Sequence, residues 1–390
     1  MKILLWPSSF APNIGGVERV TATVARLLQA GGHEAVVLTT RWPKPLPRDE
    51  VIGGIHVSRL DFPLPARNVG STVRFAASVL PALLRLNRMV SSFAPDVIHV
   101  HCVSGQAMYR MLAPAVRGCP MVVTLHGEQH GDAEAVFQRS PLLRWLLRRT
   151  LAQAAAITAC STPVLDAAVA LLTESPTLAT VVPNGIEIPA ILAARQPETL
   201  ISCDVFAAGR LNDVKGFDQL IRAIAKLRTD GVEVSAVIAG DGPERGRLEA
   251  LVARLGLGES VEFLGWIDQD DIGPRIRAAR VVVVPSRYEA FSLVAAEAMA
   301  NAIPVAAFDV GGVSEVVGGA GLTVPAGNVA ALAAAIGRII GDNQFAEGLG
   351  RAGRQRARSR FDWEQVVDDY LDIYQSVLQS KQRRDDREHA

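Results

Sequence analysis

Cysteine is scarce in this 390-residue chain: four residues, Cys102, Cys119, Cys160 and Cys203, with no close pair among them. All but Cys119 lie in apolar, strand-like runs. This is not the pattern of a disulfide-stapled secreted scaffold; it reads as reduced, buried cysteine in the cytoplasm. Net charge is also missing, since 40 Lys and Arg balance 40 Asp and Glu. That argues against a nucleic-acid partner held by bulk charge. No apolar run approaches the roughly 18 residues needed to cross a bilayer. The start, Met1-Lys-Ile-Leu-Leu-Trp-Pro7, is too short an apolar run for a signal peptide. Metal spacing is thin as well. His99 and His101 alternate on one strand and share a face, but no third ligand of matching spacing follows, and packing or acceptor contact is the reading.

What is present describes a packed protein of two ordinary domains: 49% hydrophobic and 21% charged residues over 390 positions. The charge is uneven. Up to Arg195 there are 18 basic and 12 acidic residues. Arg41, Lys44, Arg48, Arg59, Arg67, Arg74, Arg85 and Arg88 have few acidic neighbours. Arg139, Arg144, Arg148 and Arg149 flank Leu142, Leu143, Trp145, Leu146 and Leu147. That mixture suits an anionic membrane surface or a phosphorylated acceptor, or equally an amphipathic helix with a solvated basic face.

Short β-branched runs alternate with helical stretches in two blocks, an α/β pattern that implies two parallel sheets covered by helices. The boundaries read as 1–190, a link over Pro189–Pro197, a second domain at 198–360 and a terminal helix at 361–380. A charged, loose tail is expected from Lys381. Residues Arg41–Arg67 read as surface loop with one strand, Ile55–Leu60.

The most informative stretch runs from Ser286 to Pro304 between two apolar strands, Val281–Val284 and Ile303–Ala307. Phe291–Ala300 reads as a helix, so the loop before it falls at the carboxyl edge of the sheet, where open α/β folds bind ligands. Glu289 precedes this helix and Glu297 lies two turns on. The N–H groups of Phe291, Ser292 and Leu293 would offer an anion site at its start. Two carboxylates for hydroxyls beside a phosphate site suit a nucleotide sugar. Each Glu alone could also be a helix-dipole or solvated residue, but Glu297 sits among Ala, Val and Met, and a buried carboxylate needs a partner or ligand.

Glu289 and Glu297 with seven residues between them, then Ala-Met-Ala, Pro304-Val305 and Gly311-Gly312, resemble the signature of glycosyltransferase family 4, retaining enzymes of the GT-B fold. Gly209-Arg210-Leu with Lys215-Gly216 matches the same family's pattern. The resemblance spans Gly15 to Tyr374. It implies two Rossmann-like domains facing a central cleft, with the last helix packed back on the first domain. It implies Arg210 and Lys215 on the donor diphosphate, Glu297 on ribose and Glu289 on the sugar hydroxyls. Gly240 and Gly265 would shape the nucleotide pocket. His126 would lie near the transferred sugar, and Gly15 and Gly16 near the donor phosphate and acceptor. The implied donor is a nucleoside diphosphate sugar. The acceptor would be a glycan, a lipid-linked molecule or a small molecule, with peripheral membrane contact as one option. No cofactor is expected, and no metal, on the reading that the chain has no Asp-x-Asp cation motif. Ala290-Phe291-Ser292 departs from the usual Gly-Phe-Gly, which bears on sugar preference. Two other classes remain: a nucleotide-dependent oxidoreductase or epimerase built on Gly240–Gly246, and a binding protein without turnover.

Overall fold

Ile3, Leu4, Leu5 and Trp6 are fully buried, which places β1 (Lys2–Pro7) inside its sheet, paired in parallel with a strand on each side. The computed structural model describes residues 1–13, 15–64, 69–128, 136–176, 178–188 and 202–388. It divides into two compact units, Met1–Val182 with Trp363–Ala390, and Pro183–Asp362. The link expected over Pro189–Pro197 lies outside the described residues. The divide falls at Val182/Pro183, because the Ile186 N–H donates to Phe361 O at 2.7 Å in the second unit.

After β1 the first unit runs α1 (Gly16–Ala30), β2 (Glu34–Thr40), β3 (Asp49–Ile52), β4 (Ile55–Leu60), α2 (Val69–Phe93) and β5 (Val97–His101). It continues with α3 (Gln106–Leu112), α4 (Pro114–Arg117), β6 (Met121–Leu125), α5 (Val136–Arg139), α6 (Pro141–Ala152), β7 (Ala156–Ala159), α7 (Thr162–Val169) and β8 (Ala179–Val181). The described strands form one sheet in the order β3-β4-β2-β1-β5-β6-β7-β8. All pairs are parallel except the β3–β4 hairpin. That hairpin corrects the loop expected before Ile55. Gly53 and Gly54 take φ of +55° and +84°, the left-handed pair a two-residue hairpin turn requires.

The second unit runs β9 (Cys203–Ala208), α8 (Phe217–Thr229), β10 (Ala236–Ala239), α9 (Arg245–Arg254), β11 (Val261–Gly265), α10 (Gln269–Arg277) and β12 (Ala279–Val284). Then come α11 (Leu293–Ala300), β13 (Val305–Asp309), α12 (Val313–Val317), β14 (Leu322–Pro325), α13 (Val329–Gly341) and α14 (Asn343–Arg360). Its sheet is wholly parallel, in the order β11-β10-β9-β12-β13-β14. This is the doubly wound dinucleotide-fold order. α11 is apolar nearly all round and correspondingly buried.

The chain then returns to the first unit as α15 (Trp363–Glu388). Trp363, Val366, Tyr370, Tyr374 and Val377 join Val20, Val24 and Leu28 of α1 in one apolar cluster. The helix continues to Glu388, so the loose tail expected from Lys381 is helical instead.

Candidate active site

In the second unit β9 and β12 lie side by side, and the chain leaves them in opposite directions, to β10 and to β13. Such a reversal opens a crevice at the carboxyl ends of the two strands. The loops that border it are Gly209–Gly216 after β9 and Pro285–Ser292 after β12. Asp213–Lys215 forms a 3-10 turn, capped by Asn212 Oδ1, which accepts the Lys215 N–H at 3.1 Å. This cap aims Lys215 across the crevice. Its Nζ donates to Glu289 Oε1 at 2.6 Å, and Ser286 Oγ donates to the same oxygen at 3.0 Å. The two ends are partly accessible, 29% for Lys215 and 13% for Glu289. Arg210 is exposed, and its guanidinium bonds to none of the described residues.

A second tie, which the sequence reading missed, runs parallel to this one. Arg287 grips Asp218 with two hydrogen bonds, 2.9 and 3.0 Å, and donates to the Asp213 carbonyl at 2.7 Å. Burial alone would push the Asp218 carboxyl up; the Arg287 hydrogen bonds and charge outweigh it and hold that carboxyl below its ordinary value. The signal was available: Arg287 adjoins the Glu289 motif and Asp218 opens the helix after Lys215-Gly216.

The glycines here are steric. A Cβ on Gly240 would strike the Gly209 carbonyl, and one on Gly311 the Glu289 carbonyl, both well inside 3.0 Å. Gly240 and Gly311 also take positive φ, +134° and +52°. Gly240 therefore lets the loop after β10 touch the loop after β9. That loop follows the second strand of the doubly wound order, whereas a dinucleotide fingerprint belongs to the first. The oxidoreductase alternative loses its motif. Gly265 ends β11 at φ +73°, and its carbonyl accepts the Gly240 N–H at 2.7 Å.

α11 begins at Leu293, two residues later than expected. Ser292 takes φ +87° and acts as the N-cap, its hydroxyl accepting the Ala295 N–H at 3.4 Å. Phe291 is buried edge-on against Phe361, 5.3 Å between centroids. Its N–H precedes the cap, so the first-turn donors begin at Leu293. Glu297 is 2% exposed, and its Oε1 accepts from Gln269 Nε2 at 3.0 Å. The two acids therefore meet different neighbours, Glu289 the β9 loop and Glu297 the start of α10. Gln269 was not singled out from the sequence. It stands within an Asp-x-Asp triplet, Asp268-Gln269-Asp270, which corrects the reading that the chain has no such motif and removes that ground for expecting no metal. All three residues are exposed at the start of α10, with Asp268 as its N-cap.

In the first unit Gly15 and Gly16 open α1, with Gly15 as the extended N-cap. Glu18 accepts a hydrogen bond from Ser9 in front of them; Ile14 lies outside the described residues. His126 follows β6, and its Nε2 stands 3.2 Å from His101 Nδ1. His99 contacts Tyr374 Oη and Thr124 Oγ1, each at 2.6 Å. Burial holds His126 down at about 4; burial, and then the His126 charge, hold His99 at about 3. Glu128, missed from the sequence, accepts the N–H of His126 at 2.8 Å and of Val103 at 2.9 Å. It thereby fastens the end of β6 to the end of β5. His99 and His101 are fully buried, so of the two readings offered for them the structure favours packing.

Comparison with known proteins agrees with this architecture. Residues 14–188 match the model of Glycosyltransferase Family 4, and residues 202–356 that of Glycosyl transferases group 1. A glycogen synthase of Mycobacterium tuberculosis is 29% identical, over 100% of this chain and 99% of its own. A 2-deoxystreptamine N-acetyl-D-glucosaminyltransferase of Streptomyces fradiae is 29% identical, over 87% and 86%. Among solved structures, sucrose-phosphate synthase of Thermosynechococcus elongatus superposes with a TM-score of 0.79 at 23% identity, covering 97% of this chain and 100% of that one. HepE of Anabaena, solved with UDP, gives 0.73 at 24% identity over 96% and 100%. Two doubly wound units, the paired Glu289 and Glu297, and family models that between them span most of the sequence lead to one conclusion: the chain is an enzyme of glycosyltransferase family 4, with the GT-B fold.

Proposed function

We propose that this glycosyltransferase moves a hexose-type sugar from a nucleoside diphosphate donor to an acceptor hydroxyl with retention of configuration. One observation carries the reading: Lys215 reaches Glu289 across the β9/β12 crevice, while Arg210 on the same loop as Lys215 is exposed and its guanidinium bonds to none of the described residues. An ammonium has three donors. Lys215 can keep Glu289 and still offer two to a phosphate. With Arg210 it would neutralise the diphosphate and the charge that grows on it as it leaves.

Glu289 is assigned to the sugar hydroxyls and Glu297 to ribose, with Gly240, Gly265 and the Leu293 end of α11 around the nucleotide. His126 is assigned to the sugar, and Gly15 and Gly16 to the donor phosphate, on the family resemblance alone. The acceptor oxygen bonds to the anomeric carbon on the face from which the phosphate departs. Its proton passes to a phosphate oxygen, so no protein nucleophile is required. No metal or organic cofactor enters this scheme. The solved structures of HepE with UDP and with UDP-glucose support a nucleotide-sugar donor. Relatives named for glycogen and for 2-deoxystreptamine leave the acceptor open among glycan, lipid-linked and small molecules. A cytoplasmic setting is supported by cysteine that is scarce and shows no close pair in the sequence.

The test is a thermal-shift screen of UDP, GDP and ADP with and without sugar, followed by NMR of the product anomer. A melting shift with one base and a product keeping the donor's anomeric configuration support the reading. An inverted product would overturn retention.

A further inference from the structure

Four connections in the first unit step the same way across its sheet: β4 to β5, β5 to β6, β6 to β7 and β7 to β8. Right-handed crossovers then put α2 to α7 in one layer on one face, and contacts of α2 with α4, of α3 with α6 and of α5 with α6 agree. Together these helices carry nine arginines and one acid, Asp166 of α7. The layer is also where apolar side chains meet solvent. Val73, Leu80 and Leu84 of α2 are 61%, 61% and 59% exposed, Leu112 of α3 44%, and Trp145 of α6 52%. On α6 the inner face buries Leu143, Leu146, Leu147 and Leu151, while Arg144, Trp145, Arg148 and Arg149 face out. Between α6 and Leu171–Thr173 runs a groove of about 500 Å³, with Leu147 and Leu172 among its apolar lining and Arg144, Arg148 and Trp145 also lining it.

We propose that this arginine-rich layer docks flat on an anionic lipid bilayer. Val73, Leu80, Leu84 and Trp145 enter the headgroup boundary, and Arg88, Arg148 and Arg149 meet lipid phosphates. Exposed aliphatics beside arginine, with an aromatic of mixed character at the edge, are what an interfacial surface requires. A second copy of the chain fits worse, because two such faces would oppose like charges. Nucleic acid fits worse too, since Val73, Leu80 and Leu84 offer no stacking surface. Some of the charge is already engaged. Arg85 pairs with Asp49, Arg110 is buried against Gln153, and Arg117 holds the Met111 carbonyl. Acids in and beside the layer are few: α7 and the turn after it bring Asp166 and Glu174, and β3 brings Asp49 and Glu50. No helix among the described residues is long and apolar enough to cross a membrane, so the contact is with one leaflet.

Vesicle co-sedimentation of the full chain tests this without any sugar donor, and so apart from the transfer reaction. Vesicles of phosphatidylcholine alone are compared with vesicles holding about one-third phosphatidylglycerol, at low and high salt. The expected result is binding to the anionic vesicles only, weakened by salt. Leu80→Asp with Leu84→Asp, and separately Arg148→Glu with Arg149→Glu, should each lower that binding about tenfold or more. Circular dichroism and melting check the fold; should the leucine pair fail to fold, the exposed arginine pair decides. Equal pelleting with both vesicle types, unchanged binding in the arginine pair, or a dimer in sedimentation velocity that the variants dissociate would each overturn the proposal.

Discussion

Lys215 Nζ and Glu289 Oε1 stand 2.6 Å apart, joining the loop after β9 to the loop after β12 at the point where the chain reverses direction across the second sheet. Each residue is held by its own loop: Lys215 by the Asn212 cap, Glu289 by Ser286 and by its carbonyl, which accepts the Gly312 N–H at 2.9 Å. Lys215→Ala removes the cation and leaves the Glu289 carboxylate without its countercharge. Transfer, followed as kcat/KM, is expected to fall about a hundredfold or more. Unchanged turnover in a folded variant would remove Lys215 from the site.

The Arg287–Asp218 pair braces the same two loops. Asp218→Asn keeps the shape and weakens the bidentate grip. Donor KM is expected to rise about three- to tenfold with kcat affected less, because the pair positions Lys215 and takes no part in bond exchange. Double-mutant analysis with Arg287→Lys should show coupling. Additive effects would mean that the two side chains act separately.

Gly240→Ala drives a methyl group into the Gly209 carbonyl from a positive-φ position, whereas Gly246 in α9 has open space around its Cβ position. Urea unfolding is expected to show Gly240→Ala destabilised by about 1–3 kcal/mol or more. Gly246→Ala should be neutral or stabilising by about 0.4–1 kcal/mol. Similar effects at both positions would contradict the packing role given to Gly240.

The buried His99 and the part-buried His126 set a pH dependence whose sign is fixed. His126 is held near 4 and His99 near 3 by burial, against 6.5 in the unfolded chain. Between those values the unfolded chain binds the extra protons, so stability rises with pH and is lost on acidification from about 6.5 toward 4. Melting temperature should therefore drop across that window. The fall should be shallower in His126→Gln, and an unchanged slope would exclude His126 as a contributor.

Much of this molecule could be read in advance because its signals are local. Val281–Val284 and Val305–Ala307 are strands by composition alone, and the Glu289 to Glu297 spacing survives as a loop acid and a helix acid. What escaped depends on partners distant in sequence. Asp218 meets Arg287 from 69 residues away, and Gln269 meets Glu297 from 28. Glu128 is only two residues from His126, yet its role appears once β5 brings Val103 alongside. The start of α11 was misplaced because Ser292, which can cap a helix, does so here with a left-handed backbone that composition does not announce. The β3–β4 hairpin was missed although Gly53-Gly54 signalled its turn, because the flanking strands are short and charged.

Calorimetric titration of UDP, GDP and ADP into the wild-type enzyme and into Arg210→Ala tests the diphosphate site most directly, since Arg210 is exposed and its loss costs the fold little. The expected result is one nucleoside diphosphate bound by the wild type and weakened about tenfold or more in the variant. Equal affinity in both proteins, or no affinity for any of the three, would contradict a diphosphate site at the β9/β12 crevice.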